Sequence, residues 1–203
     1  MEYWDEKNEK IERKKLEQLQ LELLNRTLKF AYNSPFYKKR FKKLGLKPEI
    51  KDISEIRKFP FTTKDDLRKS YPFGMVATDI KNLVRMHGSS GTTGKSTLVF
   101  HTRKDIETWT DLVARCLYMI GMRQTDIFQN MMSYGLFTGG IGLHYGAEKI
   151  GALVIPSGTG NTKKQIEFLL DLKPTVIHVT PSYCLLYTSD AADDMQCVDL
   201  GGR

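Results

Sequence analysis

Apolar residues recur near helical spacing at Ile11, Leu16, Leu19, Leu23, Leu24 and Leu28, with charges between them. That pattern predicts one long helix over residues 4–31. Pro35 ends it, because the residue before a proline avoids the helical region. A short helix over residues 36–44 follows, stopped at Gly45. Thr62 and Asp65 have the spacing of a capping box and predict a further helix start. Thr102 and Asp105 repeat that spacing. After them Ile106, Trp109, Leu112, Val113, Leu117 and Ile120 mark one apolar helix face, closed by Gly121. Trp109, Met119 and Met122 are assigned to core packing.

Strands are predicted where β-branched and aromatic residues cluster: 82–87, 97–102, 127–132, 151–155 and 174–180. A helix is predicted over residues 162–172. After residue 125 strands and helix alternate, which implies a parallel α/β sheet. Residues 184–203 carry neither a helical nor a strand period, and they are expected to be a non-native or disordered tail.

Between the strands over 82–87 and 97–102 lies Ser89-Ser90-Gly91-Thr92-Thr93-Gly94-Lys95-Ser96-Thr97, with six hydroxyls, two glycines and one lysine. Glycines let successive N–H groups converge, hydroxyls add short donors, and lysine adds a mobile positive charge. The combination suits a polyphosphate, and a plain polar turn is the alternative. A Walker-type loop would require a glycine where Ser89 stands, and a helix directly after Lys95. A strand is predicted there instead, so the loop is similar to the phosphate loop of adenylate-forming enzymes.

Composition narrows the remaining classes. The 203 residues suffice for one or two domains, and 40% hydrophobic with 27% charged content is ordinary for a globular chain. No secretory signal or run long enough to cross a bilayer is read, and Cys116, Cys184 and Cys197 have no metal or redox spacing. A reduced, cytoplasmic location is expected. The net charge of +7 raises nucleic-acid binding, but lysines alternate with glutamates as on a solvated helix face. The four histidines form no metal site.

Several segments, in order, carry a more specific likeness. They are Asn33-Ser34-Pro35-Phe36-Tyr37, Phe59-Pro60-Phe61-Thr62-Thr63-Lys64-Asp65-Asp66-Leu67-Arg68, and Tyr71-Pro72-Phe73-Gly74. His87 to Thr97 follows, then Tyr134-Gly135-Leu136-Phe137-Thr138-Gly139-Gly140, His144-Tyr145-Gly146-Ala147-Glu148 and Val179-Thr180-Pro181-Ser182-Tyr183. Over residues 4–183 the chain resembles the phenylacetate–CoA ligases, a branch of the adenylate-forming acyl-CoA synthetases. The resemblance implies an α/β fold: the N-terminal part of the large adenylate-forming (AMP-binding) domain, spanning residues 1–183. A helical N-terminus, a strand–loop–strand phosphate loop and parallel strand/helix units would follow in order.

The resemblance also implies the chemistry. A carboxylate attacks the α-phosphorus of ATP, giving an acyl-adenylate and pyrophosphate, and the thiol of coenzyme A then displaces AMP. Ser89, Ser90, Gly91, Thr92, Thr93, Gly94, Lys95 and Ser96 would wrap the β- and γ-phosphates, with Lys95 as the point charge. Met132, Tyr134, Phe137, Thr138, Gly139 and Gly140 would form the acyl pocket, with Phe137 against an aromatic acid. Where the family commonly has tyrosine and glycine before Tyr134, this chain has Met132-Ser133, which leaves the acid open. His144 is assigned a structural role or one supporting the site, rather than a catalytic one.

The cofactors implied are ATP with Mg2+, and coenzyme A as co-substrate. The partners are an aryl carboxylic acid, ATP and coenzyme A, without nucleic acid or membrane; a homodimer of the full-length enzyme is left open. The adenine, Mg2+ and second-step lysine residues are expected beyond residue 183, so no catalytic residue is assigned and the chain alone is expected to be inactive. The apolar faces of Val154, Ile155, Val176, Ile177 and Val179 are expected to lie uncovered. A P-loop phosphoryl-transfer protein and a basic nucleic-acid-binding module are the alternative functions.

Overall fold

The computed structural model describes residues 2–89 and 96–188, the last three as backbone only. The chain divides into two compact units, Glu6–Arg103 on one hand and Met1–Asp5 with Lys104–Arg203 on the other.

In the first unit the expected single helix is two: α1 (Glu6–Glu9) and α2 (Arg13–Ala31). Glu12 stands extended before α2 and breaks the run. The apolar rhythm begins only at Ile11, so the helical period of α2 does not extend back through Glu6–Glu9. Ser34 caps α3 (Pro35–Lys43) by accepting from the Tyr37 N–H, with proline at the first helical position. Leu28, Phe41 and Ile50 form the core here, packed by Leu24, Tyr37 and Phe59. Asn25 holds the Ile50 segment at both ends of its peptide: Nδ2 donates to Ile50 O (2.9 Å) and Oδ1 accepts from Ile50 N (2.8 Å).

The capping box lies one residue later than expected. Thr63 and Asp66 form it at the start of α4 (Lys64–Lys69), while the Thr62 hydroxyl meets the Tyr37 hydroxyl at 2.8 Å. Both threonines have an aspartate three residues on, and the tertiary partner of Thr62 decides between them. The unit closes with an antiparallel hairpin of β1 (Leu83–Gly88) and β2 (Leu98–Thr102).

The second unit has α5 (Arg103–Met119), β3 (Ile127–Asn130), α6 (Gly139–Ile150), β4 (Leu153–Ile155), α7 (Thr162–Leu172), β5 (Val176–His178) and α8 (Pro181–Thr188). Its sheet is parallel, in the order β4-β3-β5. The core is Ala114, Leu117, Met122, Phe128, Ala147, Ile150 and Ala152. On α6, a side chain at Gly142 would run into the Trp109 ring and one at Gly146 into Val113, so these glycines let α5 and α6 approach closely.

Four expectations change here. Met119 is 78% exposed and Leu112 53%, so the buried face of α5 runs through Ile106, Ala114 and Leu117 instead. Helix α6 was not expected, because its glycines hide its period. Ile155 and Ile177 are buried, and Val154 and Val176 pack on the core, so those strand faces are covered. Finally, α8 runs through Cys184 to Thr188, across the boundary after residue 183; residues 189–203 lie outside the described residues.

Candidate functional site

The expected phosphate loop is carried by the β1–β2 hairpin. Gly88 pairs with Leu98, and the Ser89–Thr97 pair closes the base of the loop. There Ser89 N donates to Thr97 O (3.1 Å), and Thr97 N donates to Ser89 Oγ (3.0 Å). Ser89 therefore commits its N–H and one hydroxyl lone pair to the neck of the loop. Ser90, Gly91, Thr92, Thr93, Gly94 and Lys95 lie outside the described residues. Ser96 and Thr97 are in neither helix nor strand, and β2 begins at Leu98. The helix that a Walker-type loop needs after its lysine is not there. Within the hairpin the His87 and His101 rings meet edge to face at 5.1 Å.

The expected acyl-pocket residues lie in the second unit, on the turn from β3 to α6. Parallel α/β sheets bind ligands beyond the carboxyl ends of their strands. Asn130 ends β3 and His178 ends the neighbouring β5, and this turn leaves from that edge. Asn130 is fully buried and holds the turn from within. Its Nδ2 donates to Gly140 O (2.7 Å) and to the Tyr134 hydroxyl (2.8 Å). Its Oδ1 accepts from Met132 N (3.3 Å) and lies 2.9 Å from His178 Nδ1. Its carbonyl accepts from Gly158 N and the Ser157 hydroxyl.

Asn130 thus brings Met132, Tyr134 and Gly140 together. Phe137 stands apart, 67% exposed, beside an exposed Leu136, so it is not a core residue. Thr138 occupies the cap position of α6 without a side-chain cap bond, its carbonyl accepting from Gly142 N. A side chain at Gly140 would collide with the Ser133 carbonyl, so this glycine is demanded by the turn itself; Gly139 meets only the edge of the Phe137 ring, at 3.7 Å.

A second line of contacts runs outward from Tyr134. Its hydroxyl lies 3.1 Å from His144 Nδ1, and His144 Nε2 lies 3.0 Å from Glu148 Oε1, one turn along α6. Burial pushes the Tyr134 phenol above its usual range, against the hydrogen bond from Asn130 that lowers it. Burial also pulls His178 down to about 4, so it is neutral near pH 7.

Asn130, Glu148 and His178 were not singled out from the sequence as site residues. The signal available was a polar residue closing an apolar strand, at Asn130 and again at His178. Among the described residues no group of three or more His, Cys, Asp or Glu side chains is placed to hold a metal, and no helix is long and apolar enough to cross a membrane.

No family model matches the chain. Curated relatives do. The phenylacetate-coenzyme A ligase of Aromatoleum evansii is 49% identical over 179 residues, 87% of this chain and 41% of the relative. That of Escherichia coli (strain K12) is 49% identical over 172 residues, 84% and 39% of the two chains. That of Thermus thermophilus is 42% identical over 177 residues, 86% and 40%. Among solved structures, 2-hydroxyisobutyryl-CoA ligase in complex with 2-HIB-AMP and CoA aligns with a TM-score of 0.85 at 27% identity, covering 92% of this chain and 41% of that one. An open conformation of the same ligase aligns at 0.84 with 26% identity, covering 92% and 45%. The chain is a homologue of the phenylacetate–CoA ligases, matches part of the fold of adenylate-forming CoA ligases, and spans about two-fifths of the length of the curated relatives it matches.

Proposed function

We propose that the complete protein carrying this chain is an ATP-dependent acid–thiol ligase acting on an aryl acid of the phenylacetate type. The observation that carries the reading is the strand–loop–strand setting of Ser89 to Ser96, in a chain 49% identical to phenylacetate-coenzyme A ligases. In the first half-reaction the acid's carboxylate attacks the α-phosphorus of ATP, forming the acyl-adenylate and releasing pyrophosphate. In the second the coenzyme A thiol attacks the acyl carbon and AMP leaves.

Each step needs its groups held in line and its growing charge met by donors already in place. Hydroxyls of residues 89–96 and the N–H groups that follow Ser89, with the Lys95 ammonium, would meet the β- and γ-phosphates. Mg2+ would arrive bound to the phosphates of ATP and would supply positive charge there; among the described residues no group of three or more His, Cys, Asp or Glu side chains is placed to hold it. Met132, Tyr134, Phe137, Thr138, Gly139 and Gly140 would bound the acyl group, with the exposed Phe137 ring free to lie against an aromatic acid. On this reading the residues through α8 belong to the N-terminal part of the AMP-binding domain. The protein acts in the cytoplasm, where ATP and reduced coenzyme A are available.

The test is acid-dependent exchange of labelled pyrophosphate into ATP by the complete enzyme, over a panel of carboxylic acids. Phenylacetate or a close aryl acid should lead the panel. Lys95→Ala should lower kcat/KM for ATP by roughly 10- to 150-fold, the loss of one charge-assisted contact. No exchange with any acid, or unchanged ATP use in Lys95→Ala, would sink the reading.

A further inference from the structure

Hydrogen-bond direction can be assigned through the whole Asn130 cluster, because two of its contacts are to backbone groups whose roles are fixed. Gly140 O can only accept, so the atom 2.7 Å from it must be Nδ2. Met132 N–H can only donate, so the atom facing it must be Oδ1. The two constraints agree, and they leave the amide one orientation.

The rest follows by counting protons. The second proton of Asn130 Nδ2 goes to Tyr134 Oη, which therefore accepts. Asn130 Oδ1 cannot donate, so His178 Nδ1 must carry the proton between them; with the ring neutral, Nε2 is left as the acceptor. The Glu148 carboxylate can only accept, so His144 Nε2 carries a proton toward it; in the singly protonated ring Nδ1 is then the acceptor of the Tyr134 hydroxyl proton.

We propose that Asn130 is the positioning residue of the β3–α6 turn, setting a one-way proton order from Asn130 through Tyr134 and His144 to Glu148, so that Tyr134 has no hydroxyl proton left for a ligand. Tyr134 thereby becomes a strut. An acid entering the turn meets its ring without gaining a hydrogen bond from its hydroxyl, and discrimination rests on shape and apolar contact. This consequence for the acid rests on the proposed role of residues 132–140; the proton order does not.

The two parts separate in experiment. In the 203-residue chain labelled with 15N at histidine, long-range proton–nitrogen correlations at neutral pH report which ring nitrogen carries each proton. His144→Gln and His178→Gln assign the signals. The expected result is a proton on Nδ1 of His178 and on Nε2 of His144. A proton on His144 Nδ1 would leave the Tyr134 hydroxyl free to donate and would overturn the proposal; so would an Nε2–H tautomer of His178.

The kinetic arm uses the complete ligase and does not depend on the isolated chain. Glu148→Ala removes the acceptor of His144 and should raise the KM for the acid roughly tenfold with kcat held within about twofold. Glu148→Gln, whose amide oxygen accepts the same proton, should rescue most of that loss. Equal damage from both variants overturns the proposed order. The expected tautomers with an unmoved acid KM would keep the proton order and reject the acyl-pocket assignment of the turn.

Discussion

Two glycine-rich segments sit at the two candidate sites, and they are held in opposite ways. The loop between β1 and β2 is closed at its base by a ladder between adjacent strands, finished by the reciprocal Ser89–Thr97 pair. The turn between β3 and α6 has no ladder. A parallel strand leads into it and a helix leads out, so its shape depends on one buried side chain, Asn130. The lesson concerns redundancy. Many equivalent backbone bonds share the load at the hairpin neck, whereas the turn concentrates it in one amide whose removal orphans several partners together.

The largest test of that contrast is Asn130→Ala. It leaves Gly140 O, Met132 N–H and His178 Nδ1 short of a buried partner and should cost about 3 kcal/mol, measured by urea denaturation. Gly140→Ala should cost about 2 kcal/mol by the same measurement, since the new methyl must displace the Ser133 carbonyl. A loss that depends on pH should come from His178. Its folded value of about 4 lies below the ordinary 6.5, so the unfolded chain binds the proton first as pH falls. Its contribution is complete above about pH 6.5 and is lost progressively on acidification towards pH 4; His178→Gln should flatten stability across that window.

At the hairpin, Ser89→Ala removes one hydrogen bond of many and should cost about 1 kcal/mol. A loss there as large as that of Asn130→Ala would erase the contrast. The smallest stability effect should be that of Phe137→Ala, within about 0.5 kcal/mol because the ring is largely exposed. In the complete enzyme the same substitution should raise the KM for the acid. A stability loss without a KM change would return Phe137 to a packing role.

Where periodicity is strong the sequence was a good guide. Helix α7 spans Thr162–Leu172 as expected, β2 and the parallel strands fall within the expected runs, and β1 runs one residue past its own, to Gly88. Helix α6 was illegible because Gly139, Gly140, Gly142 and Gly146 weaken helix propensity while serving the turn and the contact with α5. Helix α8 was missed because its sequence has no clear apolar stripe. The candidate site was legible as motifs but not as a network. Asn130 and His178 are 48 positions apart, and only the pairing of β3 with β5 makes them neighbours. The offset between the Thr62 and Thr63 caps is a similar case, settled by Tyr37.

Trp4 bears on how the molecule comes together during synthesis. Its indole N–H donates to Asp111 (3.3 Å), 107 positions away, and its ring packs on Tyr118 at 5.7 Å. Residues Met1–Asp5 therefore belong with a unit whose next residue is Lys104. Trp4 must therefore wait for α5 before it finds its partners. Closing so wide a loop carries an entropy cost of about 4 kcal/mol beyond a fixed term, so this contact adds non-local order to a mostly local fold. The intensity of Trp4 fluorescence, read against a Trp109→Phe background, would therefore time the last clasp of the chain rather than its first collapse.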